Sequence, residues 1–286
     1  MRFVDASRPA GGDGLSWSTA FRELQSALGQ PSATEIRIAQ GTYFPDAGSG
    51  DRAARFTLRN NLTIRGGYAG ATQSDPDLND PALYPTILSG DLGQPGVAGD
   101  NTYRVLVGSG LDATALVENL TVTGGQADGA SPNGAGGAMH LTGLSNAVGP
   151  TIRRVRFIQN SGNSAGALYM SQTAPVVLDC TFANNSATSN GGAVQGVNAA
   201  PLFEDCVLGG NTAQTGGALS MVFCSSLLRR TVFSDNLGQL AGGALHANLG
   251  SLRIEDPQFI GNQVLSGLSS ADGGGAIYLD RVASAV

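Results

Sequence analysis

A phenylalanine or leucine followed three positions later by asparagine occurs five times, at Phe157–Asn160, Phe182–Asn185, Leu208–Asn211, Phe233–Asn236 and Phe259–Asn262. The asparagines are 25, 26, 25 and 26 residues apart. A period held that tightly restricts the chain to a stack of equivalent turns, because no single turn of that length can bury an apolar face by itself. A second signature, Gly-Gly-Ala plus an apolar residue, trails four of the asparagines at Gly191–Val194, Gly216–Leu219, Gly242–Leu245 and Gly274–Ile277. A weaker copy stands at Ala165–Leu168, and a full copy at Gly136–Met139 precedes the first asparagine. The 42 glycines of the 286-residue chain find a structural cause in these repeated turns.

Aligning the coils predicts which side chains face inward. After each Gly-Gly-Ala the apolar positions alternate, as Met139 and Leu141, Leu168 and Met170, Leu219 and Met221, and Ile277 and Leu279, the mark of a strand with one buried face. The strand ahead of each asparagine buries Val155 and Phe157, Cys180 and Phe182, Cys206 and Leu208, and Thr231 and Phe233. Three residues further back stand Ile152, Val177, Phe203, Leu228 and Ile254, all apolar. A spacing of three where two is expected puts two successive residues outside and turns a corner. The predicted fold is all-β, a right-handed single-stranded parallel β-helix (solenoid). A hexapeptide left-handed solenoid does not fit the period, and a leucine-rich horseshoe does not fit the composition.

Three regions follow. Residues 1–30 are expected to form an N-terminal cap, with an amphipathic helix over Ser16–Leu28 that opens on Ser16 or Ser18 and buries Ala20, Phe21, Leu24, Ala27 and Leu28. Residues 31–125 are expected to hold irregular first coils, with strands at Ile36–Ala39, Phe56–Leu58, Leu62–Ile64, Thr86–Leu88, Tyr103–Val107 and Leu116–Val122. Residues 126–286 hold the regular coils, interrupted chiefly by Ala127–Asn133 and Val264–Asp272, and so few insertions predict no deep cleft. With no capping element after Ile277, the native protein is expected to continue further.

All 16 basic side chains are arginines and the net charge is −6, so the sequence offers no basic stripe for nucleic acid and no lysine base. No apolar run approaches the ~20 residues that span a bilayer, so no membrane insertion of this segment is expected. The opening residues lack the apolar core of a secretory leader, and an exported protein must carry one elsewhere. Cys180, Cys206 and Cys224 form neither a disulfide framework nor a zinc motif. Cys180 and Cys206 share one inward position in adjacent coils, where two buried thiols are favoured over a disulfide.

Several motifs carry a family resemblance. Val4-Asp5, Gly12-Asp13-Gly14, Ser16-Trp17, Ala20-Phe21, Leu24-Gln25, Ala39-Gln40-Gly41-Thr42-Tyr43, Gly66-Gly67-Tyr68-Ala69-Gly70 and Leu88-Ser89-Gly90-Asp91 resemble the N-terminal region of exported bacterial β-helix proteins with variable C-terminal anchors. The later coils resemble the Gly-Gly-Ala-Ile and Phe-x-x-Asn repeats of chlamydial polymorphic outer-membrane proteins. The resemblance covers nearly the whole chain and implies a pectin-lyase-like fold and a secreted or cell-surface location.

Two sets of side chains are candidate sites. At the bend, outward rows read Arg154, Asp179, Asp205, Arg230, Asp256 and Arg153, Leu178, Glu204, Arg229, Glu255. Asp179 and Asp205, one coil apart, would let one carboxylate raise the pKa of the other beside Arg230, the constellation of a lyase or hydrolase acting on acidic polysaccharide. Alternating charges there also read as ion-pair ladders, and the ladder is favoured. After each Gly-Gly-Ala, the outward row His140, Tyr169, Gln195, Ser220, His246, Tyr278 offers rings and hydrogen-bonding groups to sugar faces, although scattered surface rings are common. No metal or cofactor is expected, with the reservation that Asp91, Asp100 and Asn101 in a glycine-rich loop suit calcium as well as turn chemistry. The favoured function is a non-enzymatic surface solenoid, a stalk, adhesin or surface-layer component that meets glycans or surface proteins. The polysaccharide enzyme ranks second.

Overall fold

In a computed structural model describing residues 1–265 and 275–284, the chain winds as a right-handed parallel β-helix. The named strands pair in parallel, in one sheet of 19 strands and a smaller one of six. One regular coil shows the plan, with walls at Val194–Val197, Leu202–Glu204, Val207–Gly209 and Thr212–Thr215. Its four corners are turned at Asn198, Asp205, Gly210 and Gly216, whose φ angles of 49°, 54°, 65° and 59° all lie in the left-handed region. The coil before it turns at Gln172, Asp179, Asn184 and Gly191, and the coil after it at Phe223, Arg230, Asp235 and Gly242. The corner that the sequence marked by a spacing of three is therefore a left-handed residue in every coil. Asparagine, aspartate and glycine are over-represented there because they tolerate that conformation best.

The two glycines of Gly-Gly-Ala answer to different constraints. The first has positive φ, although Ala165 takes the same corner at 51° in one coil. At the second, a Cβ on Gly192 would lie 2.1 Å from the carbonyl oxygen of Gly217, and one on Gly217 would lie 2.1 Å from that of Gly243. Coils touch backbone to backbone here, and no side chain fits between them.

Registered pairing builds the predicted columns. Phe157, Phe182, Leu208, Phe233 and Phe259 stack directly. The column continues downward through Val122 and Leu88 to Tyr43. Phe157 lies on Phe182, and Phe233 on Phe259, with ring centroids 4.8 Å apart in each pair, the spacing of neighbouring strands. Beside this column runs a buried amide ladder. Asn160, Asn185, Asn211 and Asn236 each donate Nδ2–H to Oδ1 of the next asparagine, over 2.9 to 3.1 Å, ending on Asn262. Each of those oxygens also accepts the backbone N–H of the preceding asparagine. The second Nδ2 proton goes to a carbonyl such as Phe157 O or Phe182 O. Every polar atom of these buried amides thus has a partner, as burial requires.

Cys180 and Cys206 are free, buried thiols. Their Sγ–H groups reach the carbonyls of Leu178 and Glu204 at 3.2 and 3.3 Å, and Thr231 makes the same bond to Arg229 at 3.1 Å one coil later. Burial, with Cys206 beside it, pushes the Cys180 thiol well above its ordinary range, so it stays protonated.

The N-terminal expectation needs correction. The α-helix covers only Leu24–Leu28 and opens at Glu23 without a side-chain cap; the helix expected over Ser16–Leu28 does not form. Phe21 belongs to the sheet: its N–H donates to Phe3 O at 2.9 Å, its carbonyl accepts Asp5 N–H at 2.8 Å, and it bridges Val4. Trp17 packs between Phe3 and Tyr68 in a small second core. Leu24 and Ala27 still close the first coil. The strand expected over Tyr103–Val107 is Leu106–Ser109, and strands Arg2–Val4 and Gly41–Tyr43 were not expected. Leu279 is 52% exposed despite its inward position, since no described coil covers it. Most of the Val264–Asp272 insertion, and Gly274, lie outside the described residues.

Candidate functional site

Register places His140 over Val107, and then Tyr169, Gln195, Ser220, His246 and Tyr278 in sequence above it, so the row inferred from sequence is one row. It is not evenly exposed. Gln195 and Ser220 are buried, and the rings form two separate stacked pairs. His140 lies on Tyr169 at 4.7 Å and 20°, and His246 on Tyr278 at 5.5 Å and 5°.

The lower pair sits in a groove. Gly129 to Ala135, the segment that interrupts the period, forms one wall of a cleft of about 630 Å³ whose floor is His140, Tyr169, Gln195, Thr142 and Ser171. The insertion folds against the flank and walls an open surface groove, where the sequence predicted no deep cleft. His140 Nδ1 donates to Ala135 O at 3.0 Å, since a carbonyl can only accept, and this leaves Nε2 as an acceptor. Burial, with the nearby Arg104 charge, lowers the His140 pKa to about 4, so the ring is neutral at physiological pH. Burial lowers His246 as well. Past Pro132, His140 and Thr142 the groove continues into a second cavity of about 350 Å³.

At the bend, two of the three acidic-site candidates, Asp205 and Arg230, form an ion pair that Asp179 does not join. Arg230 grips Asp205 through Nε and Nη2 at 2.7 and 2.8 Å and also contacts Glu204. Arg229 joins Glu204 to Glu255 at 3.5 and 2.7 Å. The hydrogen bond from Arg230 lowers the Asp205 carboxyl, the reverse of what a general acid requires. Asp179 instead lines a cleft of about 560 Å³ with Arg154, Arg156, Asn119 and the Pro81–Pro85 turn.

The same outward row contains a residue that sequence reasoning missed. Glu118 stacks under Arg153 with a side chain only 1% exposed. Its carboxylate accepts from Arg65, from Arg153 Nε at 2.9 Å and from Arg154 Nη2 at 3.0 Å, and Arg65 passes the network to Glu35 at 3.2 Å. The signal was a glutamate directly after the apolar pair Leu116 and Val117, within the strand predicted over Leu116–Val122. In the loop weighed for calcium, Asp91 accepts Gly96 N–H and Asp100 accepts Gln94 N–H at 2.8 Å, while Asn101 O accepts from Arg52. Among the described residues no group of three or more His, Cys, Asp or Glu side chains is placed to hold a metal ion.

These features define a parallel β-helix with regular, amide-laddered coils. Within it, residues 179–197, which span one Phe-x-x-Asn and one Gly-Gly-Ala-Val signature, match the family model of the Chlamydia polymorphic membrane protein repeat. The chain resembles those proteins in its coils. No curated protein matches the chain.

Proposed function

We propose that this chain is a cell-surface solenoid of stalk, adhesin or surface-layer type that binds glycans in the groove at His140, Tyr169 and Gln195. The observation that carries the reading is the stacked His140–Tyr169 pair flooring a cleft lined also by hydroxyls and amides, with apolar Pro132 and Val197 among them. Flat rings accept the C–H faces of sugars, while a few convergent polar groups take their hydroxyls. The match to a membrane-protein repeat supports a location at the cell surface. Among the described residues no helix is long and apolar enough to cross a membrane.

The cleft beside Asp179 favours a second reading, a lyase or hydrolase of acidic polysaccharide, with Arg154 and Arg156 as its cationic wall. A panel of neutral and acidic oligosaccharides, assayed for binding and for new reducing or unsaturated ends, separates the two. Binding without turnover that weakens about tenfold or more in Tyr169→Ala, a loss of ~1.4 kcal/mol, is the expected result. Turnover abolished by Asp179→Asn or Asp205→Asn would replace the binding reading with the enzymatic one.

A further inference from the structure

The second cavity contains a charge without a counterpart. Arg104 is 7% exposed, and its Nε and Nη2 are buried without a hydrogen-bond partner among the described residues. Arg2 and Arg8 each bury a partnerless Nε but donate through another nitrogen, to Met1 O and Ser18 O, whereas Arg104 leaves two nitrogens buried and unmet. Arg59 donates to the carbonyls of Leu28, Gln30 and Ala33, and Arg52 pairs with Asp128 at 2.8 Å. Burial disfavours the Arg104 guanidinium, and the like charge of Arg55 adds to that effect. A guanidinium does not shed its proton, so a buried one needs acceptors, and an oxyanion supplies both the acceptors and the opposite charge that Arg104 lacks among the described residues.

The cavity has the shape and lining to receive one. Arg55 and Arg104 both line it, Thr57, Ser109 and Thr142 supply hydroxyls, and Asn133 supplies an amide. It shares Pro132, His140 and Thr142 with the larger groove, so the two adjoin at His140, with Tyr169 in one and both arginines in the other. Arginine meets planar oxyanions with two parallel N–H donors, and the two partnerless nitrogens, Nε and Nη2, are the pair that makes such a fork.

We infer that Arg104 and Arg55 form an oxyanion subsite, and that the glycan held on His140 and Tyr169 is acidic, with a carboxylate or sulfate directed into this cavity. The inference rests on the glycan-binding reading for the sugar, while the anion site stands on Arg104 alone.

Full-length protein is titrated with an oligogalacturonate and its methyl ester, and with a sulfated oligosaccharide and its desulfated form. The two pairs separate a carboxylate source from a sulfate source. In parallel, thermal unfolding is followed in sodium sulfate and in sodium chloride at equal ionic strength. At least one charged ligand should bind tenfold or more tightly than its uncharged counterpart, and Arg104→Gln should erase that preference without weakening the uncharged ligand. Sulfate should raise the melting temperature of the wild type more than that of Arg104→Gln. The exposed Arg55→Gln should reduce the preference in part, which provides a readout insensitive to refolding of the buried site. Equal binding of charged and uncharged forms overturns the acidic-ligand inference and leaves glycan binding intact. Protection by sulfate through Arg104, with no glycan bound, supports the anion site and overturns the glycan reading. Absence of both the preference and the Arg104-dependent protection overturns the subsite.

Discussion

The regular coils and the first coils bury polar groups by different means. From Asn160 to Asn262 one residue type recurs at one position, and each amide satisfies the next across a coil. Below Gly125, which stands where an asparagine would, the polar groups are met singly. Arg59 ties down three carbonyls, Thr86 Oγ1 bonds Ala39 O, and Glu118 is held by three arginines from two neighbouring coils. Repetition lets one interaction serve many coils, whereas irregular coils need a separate solution for each buried group. The regular region should therefore fail by cooperative loss along a column, and the first coils by loss of individual contacts.

The largest expected effect tests the column. Asn211→Ala strands the Asn185 N–H, the Asn185 Nδ2 and the Phe182 carbonyl, and is expected to cost about 3 to 5 kcal/mol in denaturant unfolding. The same change at the half-buried Asn262 should cost less than half as much, because water can reach its partners. Equal costs would show that the column does not act as a unit.

The next test falls on the first coils. Glu118→Gln leaves three partly exposed arginines without their shared counter-charge and is expected to cost about 2 kcal/mol. Burial alone would raise this carboxyl, but hydrogen bonds and charge from Arg153 and Arg65 outweigh it and leave it lowered. Its stabilisation is then complete above the ordinary carboxylate range and is lost as pH falls through the lowered native value. Unfolding measured from pH 7 to pH 3 should show a shallower acid loss in Glu118→Gln than in the wild type.

The smallest effect compares one corner in both regions. Gly110 and Phe223 each follow the strand after their coil's entry and hold φ of 60° and 55°, yet only the first is glycine. Phe223 is 55% exposed and gains little from packing. Phe223→Asn should stabilise the chain by about 1 kcal/mol and Gly110→Ala should destabilise it by a similar amount, both read as shifts in the unfolding midpoint.

The regular coils were legible because period and register are the same information: residues one period apart lie above one another. Where the period breaks, so does the inference. Glu118 belongs to the charged row of Arg153, but 35 residues separate them, so counting by 25 or 26 stops short of it. The helix over Ser16–Leu28 was misread because its apolar spacing also suits a loop that lends Phe21 to the sheet and Trp17 to a second core. His140 and Tyr169 could be placed on one face from sequence, but their groove could not, since its wall comes from a loop with no repeat to fix it. Arg104 left only a weak trace, a charge inside Tyr103 to Val107, where tertiary contacts alone distinguish a solvated side chain from a buried one.

Turning each corner by backbone conformation also frees the side chain that stands there. Arg154, Asp179, Asp205, Arg230 and Asp256 take one corner with either sign of charge, and none reaches the interior. Such positions can be rewritten while the winding persists, so an exterior of this kind is able to diversify at a pace independent of the scaffold that carries it.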